Sequence, residues 1–301
     1  MEQKSYAFIQ GTDVLPEALR EQLLRLEEEM QCQAEEIRLR LGQPVTVVLP
    51  DGERTVGEEP VQRAHLERLL EIASCASVHT VMDQLREGFV TIPGGHRIGF
   101  CGTAVMEQGN VRMLRDLSSA SIRLARQFPG IARGVLKSLT EHDQLKNTLV
   151  LAPPGGGKTS LLRDLIRCIS NGECGRPLRI GVVDQRGELS AMCRGEAQMD
   201  LGGHTDVICA CPKDQGLLLL LRGMNPQVLA VDEITAPEDI RALTTAAGCG
   251  VVLLATAHAG SVEHLRYRPI YRALLHEKVF SRAVVIQGSG AHRSYHTEVL
   301  G

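Results

Sequence analysis

The chain has 301 residues, of which 43% are hydrophobic and 23% charged, which is enough for two globular domains with separate cores. A net charge of −3, only 3% aromatic residues and no tryptophan argue against a protein that coats nucleic acid or stacks its bases. No export signal or apolar run of membrane-spanning length is evident, so a soluble cytoplasmic protein is expected. Its nine cysteines are expected to be reduced structural thiols rather than a zinc site.

The first part of the chain predicts a small α+β domain of two helices and three strand segments. The predicted helices are Leu15–Met30 and Val61–Ala76, and the strand segments are Ile37–Leu41, Val45–Leu49 and Val90–Val105. Pro50-Asp51-Gly52 predicts a turn after the second strand, and Pro93-Gly94-Gly95 divides the third segment into a hairpin.

From Asn147 onward, short apolar runs alternate with helical patterns, which predicts a parallel sheet covered on both faces. The predicted strands are Thr148–Ala152, Arg179–Asp184, Val228–Asp232 and Val251–Ala255, with Phe280–Gln287 as the last strand. The predicted helices are Thr159–Ser170, Gln215–Arg222 and Pro237–Ala247.

Two domains and a linker are therefore expected. The N-terminal α+β domain spans residues 1–128, a linker region spans 129–146, and the second domain spans 147–301. Gln127–Gly130 is the expected hinge, and Ile131–Leu139 is predicted to form a connecting helix.

The segment APPGGGKTS, residues 152–160, fits the phosphate-binding pattern G-x-x-x-x-G-K-[ST], with Ala152 at its first position. Glycines let backbone N–H groups approach phosphates, and the following helix points its positive end at the same anion. Lys158 is expected to reach the β- and γ-phosphates, and Thr159 to bind Mg²⁺. The residues assigned to nucleotide binding are Pro154, Gly155, Gly156, Gly157, Lys158, Thr159 and Ser160.

Two carboxylates, Asp232 and Glu233, end the apolar strand that begins at Val228. Asp232 fits the acid that anchors Mg²⁺, and Glu233 fits a base that positions or deprotonates water. No N-K-x-D guanine-recognition motif is present, which favours ATP over GTP. These motifs predict a RecA-like P-loop ATPase domain with a mainly parallel sheet, preceded by the smaller α+β domain.

Two further polar groups follow predicted strands, where open α/β sheets place their ligand crevice. One is the segment Asp184–Glu188, and the other is His258. His258 is a candidate for sensing the γ-phosphate or orienting a carboxylate, although a lone histidine is as often structural.

The order of these motifs resembles the ATPases of type II and type IV secretion systems. Within that superfamily, the chain resembles the stage III sporulation protein AA family of endospore-forming bacteria. The blocks that carry this resemblance are residues 35–45, 94–105, 118–126, 152–167, 184–189, 204–213 and 280–287.

The resemblance implies a homo-oligomeric ring ATPase, a hexamer, with nucleotide held between its N-terminal and ATPase domains. It implies membrane-protein partners, in a channel linking mother cell and forespore, that hold the ring at the cytoplasmic face of a membrane on the mother-cell side. No nucleic-acid partner is expected.

The sequence departs from the secretion ATPases at three positions. Asp232 stands where those enzymes usually have glycine, and Thr235 stands where they carry arginine. Gln185 follows Asp184 where a second acid is common, which leaves Glu188 as the candidate catalytic carboxylate of that segment.

A catalytic arginine from outside the P-loop domain would neutralise charge on the transferring phosphate. The N-terminal half offers Arg115, Arg123 and Arg126 just before the hinge, and we hypothesise that Arg123 or Arg126 contacts nucleotide across the domain cleft. Ordinary surface arginines are the equal alternative. Two other functions stay open: a nucleic-acid-dependent ATPase, and a structural protein that binds ATP with little turnover.

Overall fold

The computed structural model describes residues 2–74, 88–107, 109–288 and 292–300. The chain divides into two compact units. The first unit comprises Met1–Arg126 with Ala191–Gln198, and the second comprises Gln127–Ser190 with Met199–Gly301. Within the described residues, no helix combines the length and the apolar character needed to span a membrane.

The first unit contains an antiparallel sheet of six strands in the order β3-β2-β1-β6-β5-β4. The strands are β1 (Glu36–Arg40), β2 (Pro44–Leu49), β3 (Gly52–Pro60), β4 (Val90–Thr91), β5 (Arg97–Glu107) and β6 (Asn110–Arg123). Alternate residues of β2, such as Val45 and Val47, are fully buried, because one face of the sheet packs on the core. The helices of this unit are Glu2–Thr12, Glu17–Leu24, Glu28–Gln33 and Arg63–Ala73.

The single helix predicted over Leu15–Met30 is wrong, because the chain forms two helices that are interrupted between Leu24 and Glu28. The side chain of Gln31 stabilises this break by donating hydrogen bonds to the carbonyls of Leu24 and Leu26, at 3.2 and 2.8 Å. The Gln31 side chain thus donates to two carbonyls that would accept backbone N–H groups if the helix were continuous.

The other predicted elements of this unit are present. The second helix lies at Arg63–Ala73, and its predicted end at Ala76 lies outside the described residues. The hairpin at Pro93–Gly95 is confirmed, since β4 pairs antiparallel with β5 across that turn and Gly94 has φ +81°. The helix Glu2–Thr12 and the strands β3 and β6 were not predicted.

The second unit contains a seven-stranded sheet in the order β11-β10-β12-β13-β9-β14-β15. After a small hairpin of β7 (Thr140–Glu141) and β8 (Gln144–Leu145), its strands are β9 (Thr148–Ala152), β10 (Ile180–Asp184), β11 (Thr205–Cys209), β12 (Val228–Val231), β13 (Val252–His258), β14 (Arg282–Gln287) and β15 (Ser294–Val299). All of its neighbouring strands pair in parallel except β14 and β15. The predicted mainly parallel sheet is confirmed.

Helices cover both faces of this sheet, which explains why β9, β10 and β12 are buried at every position. Leu149 and Leu151 of β9 belong to one core, and Val150 and Ala152 belong to the opposite one. The helices are Arg133–Leu136, Lys158–Ser170, Lys213–Gly223, Pro237–Gly248, Val262–Tyr267 and Pro269–His276, with a 3-10 turn at Lys137–Leu139.

Two expectations for this unit need correction. The connecting helix predicted over Ile131–Leu139 is a single turn at Arg133–Leu136 followed by the 3-10 turn. The strand at Arg282–Gln287 is not the last, because β15 pairs antiparallel with it. The residues of β15 are mostly polar and exposed, so this edge strand has little hydrophobic signal in the sequence.

A buried ion pair attaches the segment around Ala132 to the helix Lys158–Ser170. The Asp164 carboxylate accepts the N–H of Ala132 at 2.7 Å and pairs with Arg167 at 2.8 Å. Arg167 also pairs with Glu173 at 2.7 Å, and the hydrogen bonds from Arg133 and then Arg167 hold the pKa of Glu173 down to about 2. Arg167 is therefore neutralised by two acids inside the second unit.

Replacing Asp164 with alanine should strongly destabilise the second unit. The substitution leaves a buried N–H without an acceptor and Arg167 with one acid, and breaking a buried pair typically costs about 3–5 kcal/mol. The midpoint of urea unfolding, followed by circular dichroism, measures this loss.

The matched control is Glu238→Ala, since Glu238 pairs with Arg241 at the same spacing but on the surface. Its expected cost is at most about 1 kcal/mol. Equal losses in the two variants would contradict the structural role given to Asp164.

Candidate functional site

The loop between β9 and the helix Lys158–Ser170 has the shape of an anion cradle. Gly156 N–H donates to the Pro153 carbonyl at 3.0 Å, which closes the loop, and Gly157 caps the helix with φ +93°. A side chain at Gly156 would lie within 3 Å of Ala152 and of the Pro153 carbonyl, so the loop requires glycine there. The open helix N-terminus behind this loop can bind a phosphate.

Lys158 is the first residue of that helix, and its side chain is almost fully buried. Its Nζ contacts Nδ1 of His258 at 2.8 Å and donates to the Pro153 carbonyl at 3.2 Å. Burial lowers the pKa of Lys158, and the nearby charges of Asp232, Glu233 and Glu188 oppose that shift. The ammonium is thus held inside the loop by groups that carry no formal negative charge.

Asp232, directly after β12, is held by two threonine hydroxyls. Thr159 Oγ1 donates to one carboxylate oxygen and Thr256 Oγ1 to the other, both at 2.6 Å. Burial raises the pKa of Asp232, with smaller contributions from Glu188 and Glu233, against the effect of the two hydroxyls. Asp232 therefore joins the P-loop helix to β13.

Glu233 is the next residue, and its backbone has φ +59°, a left-handed conformation that is strained for a non-glycine residue. The Thr256 hydroxyl supports this turn by accepting the Glu233 N–H at 2.9 Å. The Glu233 carboxylate contacts Nε2 of His258 and pairs with Arg186 at 3.0 Å. Because Nδ1 of His258 faces an ammonium, it accepts there, and Nε2–H donates to Glu233.

Asp184 and Glu188 have different surroundings. The Asp184 carboxylate is buried and accepts bonds from the N–H groups of Glu188, Leu189 and Ser190 and from the Ser190 hydroxyl. It therefore organises its own loop. Glu188 lines a small cavity that also borders Asp232, Glu233 and Lys213.

Thr235, at the position where arginine was expected by resemblance, links the N-termini of two helices. Its hydroxyl accepts from Lys213 at 3.1 Å, and its N–H donates to Asp239 at 2.9 Å. Lys213 and Asp239 also lie 3.6 Å apart as a buried pair. The structure thus gives this position a local structural contact.

The three candidate arginines belong to the first unit. Arg115 lies on β6, opposite Thr103 of β5. Arg123 pairs with Glu36 at 3.1 Å and is largely exposed, and Arg126 donates to the Ala34 carbonyl at 2.5 Å. Burial lowers the pKa of Arg126, opposed by the charge of Glu35.

Three residues of this region were not predicted as part of the site: Thr256, Tyr271 and Arg293. Thr256 interrupts an apolar strand two residues before His258, which was an available signal. The Tyr271 hydroxyl accepts from the His258 N–H and donates to the Ile234 carbonyl, each at 3.2 Å. Arg293 donates to the Gly155 carbonyl at 3.4 Å, from a part of the chain with no recognisable motif.

The predicted strand-end groups therefore meet at one edge of the sheet. The P-loop, Asp232, Glu233 and His258 form one contact network, and Glu188 borders it. This arrangement can bind an anion, hold a divalent cation and place a carboxylate beside both.

A family model described as "Sporulation stage III, protein AA" matches residues 9–296 of the chain. Stage III sporulation protein AA of Bacillus subtilis (strain 168) is 39% identical over 279 residues, covering 90% of this chain and 88% of its own. The chain belongs to the stage III sporulation protein AA family. The resemblance drawn from its motifs is thereby confirmed.

Two solved structures share the fold of this family member. The pilus retraction motor PilT, solved with bound ADP, has a TM-score of 0.60 at 17% identity, covering 89% of this chain and 80% of its own. The ATPase DotB of Legionella pneumophila has a TM-score of 0.56 at 12% identity, covering 91% and 78%. The predicted fold class is confirmed: an antiparallel N-terminal sheet precedes a mostly parallel α/β sheet.

Replacing Asp232 with asparagine should raise the melting temperature in buffer free of magnesium and nucleotide. An acid whose pKa is raised by folding favours its protonated form in the native state, so its ionised form lowers stability above that pKa. The gain should therefore be largest near neutral pH and shrink as the pH falls and the native Asp232 takes up a proton.

Thermal unfolding at several pH values measures this difference, with Asp51→Asn as the control for losing one exposed negative charge. A destabilisation by Asp232→Asn that is independent of pH would contradict the electrostatic description of Asp232.

Proposed function

We propose that this family member is an ATPase that binds ATP at Pro154–Ser160 and hydrolyses it as a ring oligomer, a hexamer. The ring acts on a membrane-embedded channel between mother cell and forespore, from the cytoplasmic face on the mother-cell side. The observation that carries the hydrolytic part is the contact network joining Lys158, His258, Glu233, Asp232 and Thr159. Its groups are those that nucleotide hydrolysis requires.

The donor set fits ATP with magnesium. Within the described residues, no cluster of three or more His, Cys, Asp or Glu side chains could hold a metal ion by itself. Mg²⁺ in nucleotide sites is usually held by one or two protein oxygens, waters and the substrate phosphates. Thr159 and Asp232 supply such oxygens beside the loop, and Mg²⁺ would neutralise charge on the phosphates.

Nucleotide binding gives Lys158 a stronger partner than His258 or the Pro153 carbonyl. A phosphate oxygen is a charged acceptor, whereas Nδ1 of His258 and the Pro153 carbonyl are neutral. Lys158 therefore turns toward the phosphates, and its contact with His258 is lost. The loop N–H groups and the Ser160 region of the helix N-terminus bind the same anion.

Glu233 is the proposed general base, and Glu188 lines the same cavity as a second carboxylate. His258 donates Nε2–H to Glu233 and so fixes the direction of its carboxylate. Since His258 touches both Lys158 and Glu233, it connects the phosphate-binding group to the base. This is our proposal for its sensing role.

The oligomeric part of the proposal rests on the family and on the fold shared with PilT and DotB. An arginine from the first unit, Arg123 or Arg126, completes charge neutralisation at the phosphate. Arg123 suits this role because its side chain is 71% exposed and pairs only on one side with Glu36.

Glu233→Gln should lower ATP turnover by at least about 100-fold, the usual contribution of a general base, while ATP binding persists. Lys158→Ala should weaken ATP binding itself, because the phosphates lose their buried cation. Steady-state phosphate release and the fluorescence of a labelled ATP measure the two effects separately.

Glu238→Gln, an exposed acid outside the site, is the control and should match the unchanged chain. Near-normal turnover in Glu233→Gln would refute the assigned base. Stimulation of turnover by single-stranded DNA would instead favour a nucleic-acid-dependent ATPase.

Arg123→Ala or Arg126→Ala should lower oligomer-stimulated turnover by about 10³-fold, as expected for an arginine finger. Light scattering with and without a non-hydrolysable ATP analogue reports whether the ring still forms. Arg112→Ala, on the same strand as Arg123 and paired with Glu107, is the matched control.

If the arginine acts on a neighbouring subunit, mixing Arg123→Ala with Lys158→Ala should restore part of the activity that each variant lacks. Wild-type rates in both arginine variants would rule out this assignment.

A further inference from the structure

Arg293 directly precedes β15 and lies next to the P-loop. Because β14 pairs in parallel with β9, with Val285 opposite Leu151, its carboxyl end lies beside the loop that follows β9. Gly288 turns the chain with φ +79°, and a side chain there would clash with the His292 carbonyl. Ser294 then pairs with Gln287 as β15 begins, so the position of Arg293 is fixed by the strand register.

The guanidinium of Arg293 lies against two glycines of the loop. One of its terminal nitrogens donates to the Gly155 carbonyl at 3.4 Å, which is long for a hydrogen bond. A Cβ at Gly157 would lie 3.1–3.3 Å from three guanidinium atoms, so the group packs directly on that residue. The Nε atom is buried and has no hydrogen-bond partner.

The charge of Arg293 is poorly compensated where it lies. A guanidinium has five N–H donors, and among the described residues one long bond to a neutral carbonyl uses one of them. Within the part of the chain that the structure describes, no Asp or Glu forms an ion pair with Arg293. The buried Nε is therefore a donor that a ligand at the loop could satisfy.

We propose that Arg293 binds the phosphate chain of the nucleotide, as a second cation beside Lys158. This inference rests on the proposed function, because it assigns a further ligand to the same nucleotide. Phosphate oxygens match the planar donors of arginine, and the backbone N–H groups of the loop converge on the same anion. Binding transfers the guanidinium from the Gly155 carbonyl to a phosphate.

The alternative is that Arg293 only stabilises the loop. The two possibilities predict different effects of Arg293→Gln on nucleotide affinity. If Arg293 binds phosphate, Arg293→Gln weakens nucleotide binding by about 10- to 100-fold, the range for a charge-assisted hydrogen bond. If it only braces the loop, its removal leaves affinity unchanged or raises it, since its bond to Gly155 competes with nucleotide.

The test is a titration of the full chain with fluorescent ATP and GTP derivatives, for wild type, Arg293→Gln, Arg293→Lys and Lys158→Ala. Arg241→Gln, an exposed arginine paired with Glu238, is the control for losing one positive charge. We expect Arg293→Gln to lose affinity equally for both nucleotides, Arg293→Lys to recover part of it, and melting temperatures to match the control.

Unchanged or tighter binding by Arg293→Gln, with binding lost in Lys158→Ala, would overturn the role of Arg293 and leave the proposed function intact. A loss confined to ATP would also overturn it, because that result indicates contact with the base. Failure of the wild-type chain to bind either nucleotide would overturn the proposed function itself.

Discussion

The Asp232 carboxylate accepts hydrogen bonds from Thr159 and Thr256, and the other site contacts depend on this arrangement. Thr159 belongs to the P-loop helix and Thr256 to β13, so one half-buried acid fixes the loop against the neighbouring strands. The Thr256 hydroxyl also supports the strained turn at Glu233, whose carboxylate then meets His258. An acid whose pKa is raised by burial is thus retained in place, at a cost to stability that a divalent cation would offset.

Much of the fold could be predicted because its strands carry strong apolar patterns. β9, β10 and β12 are buried on both faces, and continuous apolar runs produce that pattern. β15 carries no comparable signal, because it is a polar edge strand whose residues are mostly exposed and which pairs with β14. The break near Leu24 was also missed, because the Gln31 side chain that stabilises it looks like any other helical polar residue.

The central part of the candidate site could be predicted because a parallel sheet brings its strand ends together. That rule placed Asp232, Glu233 and His258 beside the loop before any contact was known. The role of Asp184 could not be predicted from the sequence. The hydrogen bonds that its carboxylate accepts from Ser190 and neighbouring residues show that it stabilises its own loop. Arg293 was beyond sequence reasoning, because its approach to Gly155 depends on the register of a hairpin at the far end of the chain.

The central claim is that one network, in which Lys158 contacts His258, binds and hydrolyses ATP. A crystal structure with Mg²⁺ and a non-hydrolysable ATP analogue tests this claim most directly. The account predicts phosphates in the loop, Lys158 moved from His258 onto a phosphate oxygen, and Mg²⁺ beside Thr159 and Asp232. Nucleotide bound elsewhere, or a Lys158–His258 contact still at 2.8 Å with phosphates in the loop, would contradict it.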